Sequence, residues 1–200
     1  MSGTALPAAF FERDVVAVAR ELLGKRIVSR LGGTLAGGRI VEVEAYLGAD
    51  DPASHAYRLR RTEGNAAIYG PPSTWYVYRS YGVHWCANLV TGPPGRGAAV
   101  LLRAVEPLEG LGVMRRRRSG ATDRLLCAGP GRLCQALGIT RLRLDGLLMP
   151  RSPVRILPAE PPSEDEILVT PRIGITRAAD WPLRFVIRGS PWASRNSRKA

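Results

Sequence analysis

Two acidic residues and a tyrosine on one face of a predicted strand are the first candidates for chemistry. Residues 38–48 alternate with the period of two that is typical of a β-strand, which places Glu42, Glu44 and Tyr46 on the same face. The two carboxyl groups would leave the strand roughly 7 Å apart. Like charges at that distance can raise the pKa of one carboxyl group, which suits a general acid or base. The alternative, which the spacing alone favours, is the solvated face of a half-buried strand.

A polar loop leaves the end of this strand. It carries Asp50, Asp51, Ser54 and His55, and catalytic groups often collect in loops that a rigid scaffold positions. A glutamate, a tyrosine that can stack and a histidine that can titrate therefore fall within twelve positions. These residue types indicate a site without specifying a reaction.

A second informative segment is rich in aromatic residues. Residues 75–89 are predicted to form two strands around a turn near Ser80–Val83, with Tyr76 and Tyr78 on one face and Tyr81 at or near the tip. Packing within a sheet explains most aromatic residues in strands. A bulky ring beside a glycine at a turn should instead be exposed, and in a basic protein it suits insertion between nucleic-acid bases.

The composition favours a polyanionic partner. The chain has 200 residues, 45% hydrophobic content and a formal net charge of +12, which allows one domain with a full core and is unusually basic. Such an excess of positive charge most often accompanies a nucleic acid. The sequence contains neither a long apolar segment nor a signal peptide, so we expect neither a membrane protein nor a secreted one.

Almost all of the positive charge is arginine, since the only lysines are Lys25 and Lys199. One arginine, Arg103, lies in the apolar segment 98–105 and needs an anionic partner, either in the core or in the site. Charged runs are usually solvated, and contact with phosphates is the functional alternative. The candidates for such contact are Arg58, Arg60, Arg61, Arg115, Arg116, Arg117 and Arg118.

The cysteines and histidines do not show metal-ligand spacing. Cys86, Cys127 and Cys134 form no CxxC pair, and an odd number of cysteines without a secretion signal is typical of reduced thiols. A ligand set of Cys86, His84 and His55 lacks paired spacing. We therefore expect buried thiols and no metal or other cofactor.

Hydrophobic spacing predicts the remaining elements. Helices are expected over residues 10–23, 107–118 and 129–138, and strands over 25–29, 33–47, 98–105, 154–157, 167–175 and 183–187. No internal repeat or linker divides them, so residues 1–193 are expected to form one domain. Residues 194–200 are expected to form a basic, frayed tail.

Several blocks of the chain together resemble the alkyladenine DNA glycosylase family, also called the 3-methyladenine or methylpurine DNA glycosylase family. The blocks are Gly38–Gly48, Ala53–His55, Tyr76–Asn88, Val100–Gly110, Gly129–Ile139 and Leu183–Trp192. Blocks in one order over nearly the whole chain are more specific than any single motif. The resemblance implies one α+β domain with a curved, mainly antiparallel sheet, flanking helices and a protruding β-hairpin that enters the minor groove of DNA.

The resemblance also implies a reaction and residue roles. Monofunctional glycosylases flip a damaged purine from duplex DNA and hydrolyse its N-glycosidic bond; the expected bases are 3-methyladenine and 7-methylguanine, with hypoxanthine and ethenoadenine open. By resemblance, Glu44 activates the water, Arg103 lies near that water, and Tyr81 intercalates. The residues implied to line the base pocket are Tyr46, His55, Tyr78 and Asn88, of which Asn88 screens out normal guanine.

The residue chemistry agrees with this reaction. Flipping costs a few kcal/mol, and a ring such as Tyr81 that fills the gap offsets part of the cost. Stacking on Tyr46 and Tyr78 contributes roughly 1–3 kcal/mol per base. Glu44 can both activate water and stabilise the positive sugar. Since neither lysine lies in a site block, we expect an abasic product without Schiff-base chemistry or strand cleavage.

One departure and two alternatives accompany this hypothesis. Residues 62–65 read Thr-Glu-Gly-Asn where many relatives have Thr-Pro-Arg-Asn, and residues 68–69 read Ile-Tyr where Met-Phe is usual, which leaves the order and DNA contacts of this loop open. The alternatives are a non-catalytic DNA-binding module and a metal-dependent hydrolase that uses Glu44, His55 and His84. We expect the glycosylase, acting on double-stranded DNA as a cytoplasmic monomer of bacterial type that joins the nucleoid when it acts.

Overall fold

An eight-stranded sheet forms the centre of the structure, a computed structural model that describes residues 3–194. The strands are β1 (Arg26–Ser29), β2 (Ala36–Tyr46), β3 (Trp75–Ser80), β4 (His84–Thr91), β5 (Ala98–Glu109), β6 (Val154–Leu157), β7 (Ile167–Thr170) and β8 (Arg184–Ile187). Six follow the order β3-β4-β5-β2-β1-β6, and β8 joins β2 to β7. The pairs in the described residues are antiparallel. The mixed α+β class with an open, mainly antiparallel sheet is confirmed.

Strand β2 has neighbouring strands along both of its edges. On one side it pairs with β5, and on the other it pairs first with β1 and then, over residues 42–44, with β8. Its residues are buried almost without interruption, and the side chains of Glu42 and Glu44 have no exposed surface. The alternative of a solvated strand face is therefore wrong, because Ile173 and Ser194 contact the glutamates and both carboxylates are buried.

Four α-helices flank the sheet, namely α1 (Val15–Leu22), α2 (Leu111–Arg117), α3 (Pro130–Leu137) and α4 (Arg141–Leu144). Helix α1 starts later than predicted because the Asp14 carboxylate caps it, accepting hydrogen bonds from the backbone N–H groups of Val16 and Ala17. Residues 8–11 form a separate 3₁₀ turn. The apolar residues whose helical spacing predicted a helix over 10–23 are buried, as expected: Phe11, Val15, Val18 and Leu22.

The boundary between β5 and α2 differs from the prediction. A helix was expected from residue 107, whereas the strand continues to Glu109 because Pro107 and Glu109 pair with Gly38 and Gly37 of β2. Helix α3 agrees with the prediction, since it begins at Pro130 and ends before residue 138, a glycine with a φ of 74°. Pairing with β2 thus makes residues 107–109 part of a strand although their local pattern favours a helix.

Gly38 lies at an irregularity of the β2–β5 ladder where no side chain fits. A Cβ atom there would lie 1.9 Å from the backbone oxygen of Glu106 and 2.7 Å from Val105 Cγ1. We expect Gly38→Ala to lower the free energy of unfolding by about 2 kcal/mol or more, because the backbone must shift. The control is Gly112→Ala on the exposed side of α2, where the nearest atom lies 3.8 Å from the added Cβ, and it should stabilise by up to about 1 kcal/mol. Urea unfolding followed by circular dichroism measures both, and equal effects would contradict this prediction.

The cysteines belong to the core, as the sequence predicted. Cys86, Cys127 and Cys134 are buried and free, and burial raises the pKa of Cys127 to about 12. These groups are therefore thiols at neutral pH. Within residues 3–194, no helix combines the length and the apolar character that a membrane span requires.

Candidate active site

The carboxylate of Glu44 is fixed by three donors from three parts of the chain. Its Oε1 accepts a hydrogen bond from the backbone N–H of Ile173 at 2.8 Å and lies 3.1 Å from Arg103 Nη1. Its Oε2 accepts a hydrogen bond from the hydroxyl of Tyr46 at 3.0 Å. The side chain of Glu44 has no exposed surface. This carboxylate is therefore preorganised in a site from which bulk water is excluded.

Arg103 of β5 connects Glu44 to a second carboxylate. Its Nε donates to Glu42 Oε1 at 2.9 Å, while its Nη1 faces Glu44. Burial lowers the pKa of Arg103, but the two carboxylates outweigh this effect and raise it above its ordinary value. The sequence left open whether the partner of Arg103 lies in the core or in the site. Arg103 has both partners, because Glu42 belongs to the core and Glu44 belongs to the candidate site.

Glu42 forms the most heavily bonded group of the cluster. It accepts hydrogen bonds from Arg103, from Arg184 Nε at 2.8 Å, and from the backbone N–H and hydroxyl of Ser194, both at 2.6 Å. Burial favours the neutral acid, but the two guanidinium groups outweigh it and lower the pKa of Glu42. The pKa of Glu42 is thus lowered and not raised, because Arg103 and Arg184 lie beside it. Ser194, which was assigned to the frayed tail, is instead part of the cluster; residues 195–200 lie outside the described residues.

A cavity of about 290 Å³ opens beside this cluster, close to the usual range for ligand sites. Its aromatic wall contains Tyr46 of β2, His55 of the following loop and Tyr76 and Tyr78 of β3. The rings of Tyr76 and Tyr78 are stacked with centroids 5.5 Å apart, and His55 meets Tyr78 edge to face at 4.4 Å. Asn88 of β4 completes the wall and donates to the backbone oxygen of Tyr76 at 3.0 Å. The structure therefore brings all four predicted pocket residues to one cavity.

The ionisable rings of the aromatic wall are neutral at physiological pH, while Arg79, which also lines the cavity, is charged. Burial, together with the charge of Arg60, lowers the pKa of His55. Burial also raises the pKa values of Tyr46, Tyr76 and Tyr78. His55 Nδ1 and the Tyr76 hydroxyl share a hydrogen bond of 2.6 Å. The wall thus offers electron-rich, uncharged rings, which suit a flat and positively charged ligand.

Tyr81 occupies the tip of the β3–β4 hairpin. Its side chain is 88% exposed, and its φ of 49° is followed by a φ of 66° at Gly82. The Val83 N–H donates to the Ser80 backbone oxygen at 3.1 Å, as in a type I′ turn. A tyrosine with positive φ is strained by about 1–3 kcal/mol. The fold therefore presents a large ring to solvent although doing so costs stability.

The loop that departs from the family pattern is well anchored. Thr62 and Asn65 form a reciprocal capping box. The side-chain amide of Asn65 also donates to the backbone oxygens of His55 and Arg60, both at 2.9 Å. A side-chain nitrogen of Arg141 donates to the Glu63 backbone oxygen at 2.8 Å. Asn65 thus anchors this loop to His55 and Arg60, and Ile68, one of the substituted positions, lines the aromatic cavity.

The structure adds Arg172, which the sequence analysis missed. Arg172 is buried, pairs with Asp51 at 2.9 Å and lies over the Tyr46 ring, with its guanidinium carbon 4.6 Å from the ring centroid. The neighbouring residue supplies the backbone N–H that holds Glu44. The sequence did contain a signal for a buried, paired arginine at this position. Arg172 is a charged residue within the predicted strand 167–175, just as Arg103 is a charged residue within the apolar segment 98–105.

The arginines of residues 115–118 mostly have partners within the protein. Arg115 forms two hydrogen bonds of 2.7 Å with Asp123. Arg117 donates to the backbone oxygens of Ala136 and Leu31, and Arg118 donates to the backbone oxygen of Leu126 and to Gln135. Arg116 is exposed. Contact of this run with DNA stays a prediction, for which Arg116 is the best-placed side chain.

Arg58, Arg60 and Arg61 are exposed on the loop that follows the cavity wall. Arg58 and Arg61 lie over the rings of Tyr57 and Tyr69, at 5.1 and 3.9 Å. Arg60 lines a groove of about 610 Å³ that shares several residues with the aromatic cavity. We call this the arginine groove, after the four arginines that line it: Arg60, Arg79, Arg141 and Arg177. Sequence analysis selected only the first of them.

The described part of the chain contains no cluster of side chains suited to bind a metal ion. Among residues 3–194, no three or more histidine, cysteine, aspartate or glutamate side chains come together in a way that could hold a metal ion. Glu44, His55 and His84, which the metal-dependent hydrolase would require, are thus not assembled as a ligand set. The donors around Glu44 are instead Arg103, Tyr46 and the backbone N–H of Ile173.

Comparison with known proteins agrees with this geometry. Residues 9–191 match the methylpurine-DNA glycosylase family. A relative from Methanoculleus marisnigri is 51% identical over 95% of this chain and 98% of its own length. Relatives from Nitrosospira multiformis and Koribacter versatilis are 47% and 46% identical, covering 96% and 94% of this chain and 95% and 92% of their own lengths. All three are named as proposed 3-methyladenine DNA glycosylases. The chain belongs to the methylpurine-DNA glycosylase family.

Proposed function

We propose that the protein is a monofunctional DNA glycosylase that removes alkylated or deaminated purines from double-stranded DNA. It hydrolyses the N-glycosidic bond with a water molecule that Glu44 activates, and it leaves an abasic site. The observation that carries this proposal is the fully buried Glu44 carboxylate, held by Arg103 on one side and by Tyr46 of the aromatic cavity on the other. Its location in the cytoplasm and its monomeric state stay predictions from the sequence.

Base recognition follows from the shape and charge of the cavity. A purine inside a duplex is inaccessible, so the nucleotide rotates out of the helix at a cost of a few kcal/mol. The Tyr81 ring, exposed on the hairpin, fills the vacated place in the stack. The extruded base then stacks against Tyr46, Tyr78 and His55, and the electron-rich rings favour a purine that carries the positive charge of alkylation. We infer that 3-methyladenine and 7-methylguanine are the preferred substrates, with hypoxanthine and ethenoadenine as further ones.

Hydrolysis places positive charge on the sugar before the new bond is complete. As the C1′–N bond breaks, the electron pair leaves with the base, and an alkylated base departs neutral because it was cationic. The water oxygen bonds to C1′ while Glu44 accepts the water proton. The carboxylate also stabilises the oxocarbenium-like sugar. Arg103 keeps Glu44 oriented, and a neutral lesion such as hypoxanthine additionally requires protonation of the leaving base.

The test uses two duplexes, one containing a single hypoxanthine and one randomly methylated, both with EDTA present. Released base is identified by chromatography, and abasic sites are revealed by alkali. The proposal expects base release, alkali-dependent strand breaks and no covalent adduct on borohydride treatment, because Lys25 donates to a backbone oxygen of Ala159 away from the site. Binding without release from either duplex would favour the non-catalytic DNA-binding module. Loss of activity in EDTA would favour the metal-dependent hydrolase.

The arginine groove is the proposed path for the DNA backbone beside the flipped nucleotide. Among the described residues, Arg60, Arg79 and Arg177 form no ion pair, whereas Arg141 pairs with Asp145. No carboxylate lines the groove in the described part of the chain. Guanidinium groups without ion pairs, in a groove that shares residues with the aromatic cavity, suit the negative charge of phosphates along a strand.

Neutralising these three arginines together should weaken the salt dependence of DNA binding. Because each phosphate contact contributes about 0.9 to the slope of log K against log salt, the triple change of Arg60, Arg79 and Arg177 to glutamine should reduce the slope by up to about 2.7. The control is Arg151→Gln, an exposed arginine outside the groove, which should leave the slope unchanged. Fluorescence anisotropy with undamaged duplex at several salt concentrations measures both. An unchanged salt-dependence slope in the triple variant would contradict the proposed path of the DNA backbone through the arginine groove.

A further inference from the structure

Glu42 is a buried carboxylate that the reaction described above does not use. Like Glu44, it is fully buried and is not among the residues that line the aromatic cavity, and it receives four hydrogen bonds from three distant parts of the chain, contributed by Arg103, Arg184 and Ser194. Removing a charge from water is expensive unless partners compensate, and such a group is often no more stabilising than an apolar one. A purely structural role is therefore a weak explanation for this arrangement.

We propose that Glu42 is a positioning residue for the hydrolytic reaction, which it serves by holding the Arg103 guanidinium so that only one of its nitrogens faces Glu44. The inference rests on the proposed glycosylase function. Glu42 itself touches neither the base nor the water. It acts through Arg103, whose side chain lies between the two glutamates.

The geometry of Arg103 explains why such a restraint is needed. A guanidinium facing a single carboxylate prefers to bind both oxygens through two parallel hydrogen bonds. In the structure Arg103 instead gives its Nε to Glu42 and its Nη1 to Glu44 Oε1. Oε2 of Glu44 is thus bonded only to the Tyr46 hydroxyl among the described residues. It keeps a lone pair for the proton of the attacking water.

Without Glu42, the same guanidinium would turn towards Glu44. Both oxygens would then accept hydrogen bonds from Arg103, and the full positive charge would act on one carboxylate. Neither oxygen of Glu44 would then be free to accept the proton of the attacking water. The charged groups that face Glu42 are Arg103 of β5, Arg184 of β8 and Glu44 of its own strand, so the cluster holds two cations and two anions. The charges of the two arginines and the two glutamates thus balance in the observed orientation of Arg103.

The decisive variant is Glu42→Gln, which keeps the shape of the side chain and removes its charge. Under single-turnover conditions with the methylated duplex, we expect the rate of base release to fall about 100-fold, the size of effect that a misplaced catalytic group produces. The affinity for the duplex should stay within about twofold, since Glu42 is buried and lines neither the aromatic cavity nor the arginine groove.

The matched control is Glu109→Gln at the far end of the β2–β5 pair. Glu109 forms an ion pair with Arg26 on a partly buried part of the sheet, so its loss perturbs the same pair of strands without touching the cluster. We expect wild-type rates and wild-type affinity for this variant. If Glu42→Gln does not fold, as judged by circular dichroism, Ser194→Ala takes its place. It removes one of the hydrogen bonds to Glu42 and should lower the rate by about tenfold with unchanged affinity.

The outcomes separate this inference from the proposed function. If the wild-type protein releases no base from either duplex, the proposed function fails. If the wild type is active and Glu42→Gln, or Ser194→Ala in its place, matches Glu109→Gln in rate, only the positioning role fails. A fall in affinity that accounts for the whole loss of rate would also overturn the positioning role.

Discussion

Replacing Glu44 with glutamine is expected to reduce base release by at least about 1,000-fold while the protein still binds DNA. The amide has nearly the same shape but cannot accept the proton of the attacking water, and general-base catalysis commonly contributes 10²–10⁴-fold. It also lacks the negative charge that stabilises the developing sugar cation. Both losses fall on the transition state, so the rate of the chemical step should fall with little change in affinity.

The measurement is single-turnover base release from the methylated duplex, with anisotropy measured on the same DNA. The fold should survive, because Arg103 in this variant keeps its hydrogen bond to Glu42 and is not left as an unpaired buried charge. Circular dichroism provides that control. Wild-type release by Glu44→Gln would remove Glu44 from the centre of the mechanism. Equal loss of binding and release would favour a structural role for it.

Replacing Tyr81 with glycine is expected to lower excision from duplex DNA by at least about tenfold without destabilising the protein. The ring is 88% exposed, so the folded protein loses little packing, and glycine adopts the φ of 49° without strain. The free energy of unfolding should therefore stay equal or rise by about 1 kcal/mol. Excision falls because no ring fills the gap that the flipped nucleotide leaves.

Two comparisons make this prediction specific. Tyr81→Phe keeps the ring and should retain most of the excision from duplex DNA, which separates stacking from hydrogen bonding by the hydroxyl. A single-stranded substrate has no stack to repair, so Tyr81→Gly and the wild type should act on it at similar rates. Equal losses on single-stranded and duplex substrates would contradict the intercalating role. Lower thermal stability in Tyr81→Gly would contradict the claim that Tyr81 is strained at the hairpin tip.

Taken together, these variants test different parts of one mechanism. Glu44→Gln addresses the chemical step, Tyr81→Gly addresses extrusion of the base, and the groove variants address contact with the DNA backbone. Affinity, duplex specificity and chemical rate are separate measurements. In a protein that only binds DNA, Tyr81→Gly and the groove variants would change affinity alone. Glu44→Gln would have no chemical step to remove.

The amino-acid sequence by itself determined the elements whose signals are local. The apolar stripe of α1, the stretch from Pro130 to Gly138 and the hairpin with Tyr81 at its tip follow from spacing, capping residues and turn chemistry, which act over a few positions. The family resemblance depended on similarly short blocks. These features need no knowledge of which strand lies beside which.

The tertiary structure decided how the acidic residues of β2 are used. Alternation along one strand predicted that Glu42 and Glu44 share a face, but a strand carries no information about whether other elements cover that face. Residues 184 and 194 reach Glu42 from 142 and 152 positions away in the chain. Burial then makes each carboxylate depend on its cations. The pairing of Arg103 with both glutamates, and hence the orientation of the candidate base, arises from these distant contacts and from the long pairing of β2 with β5.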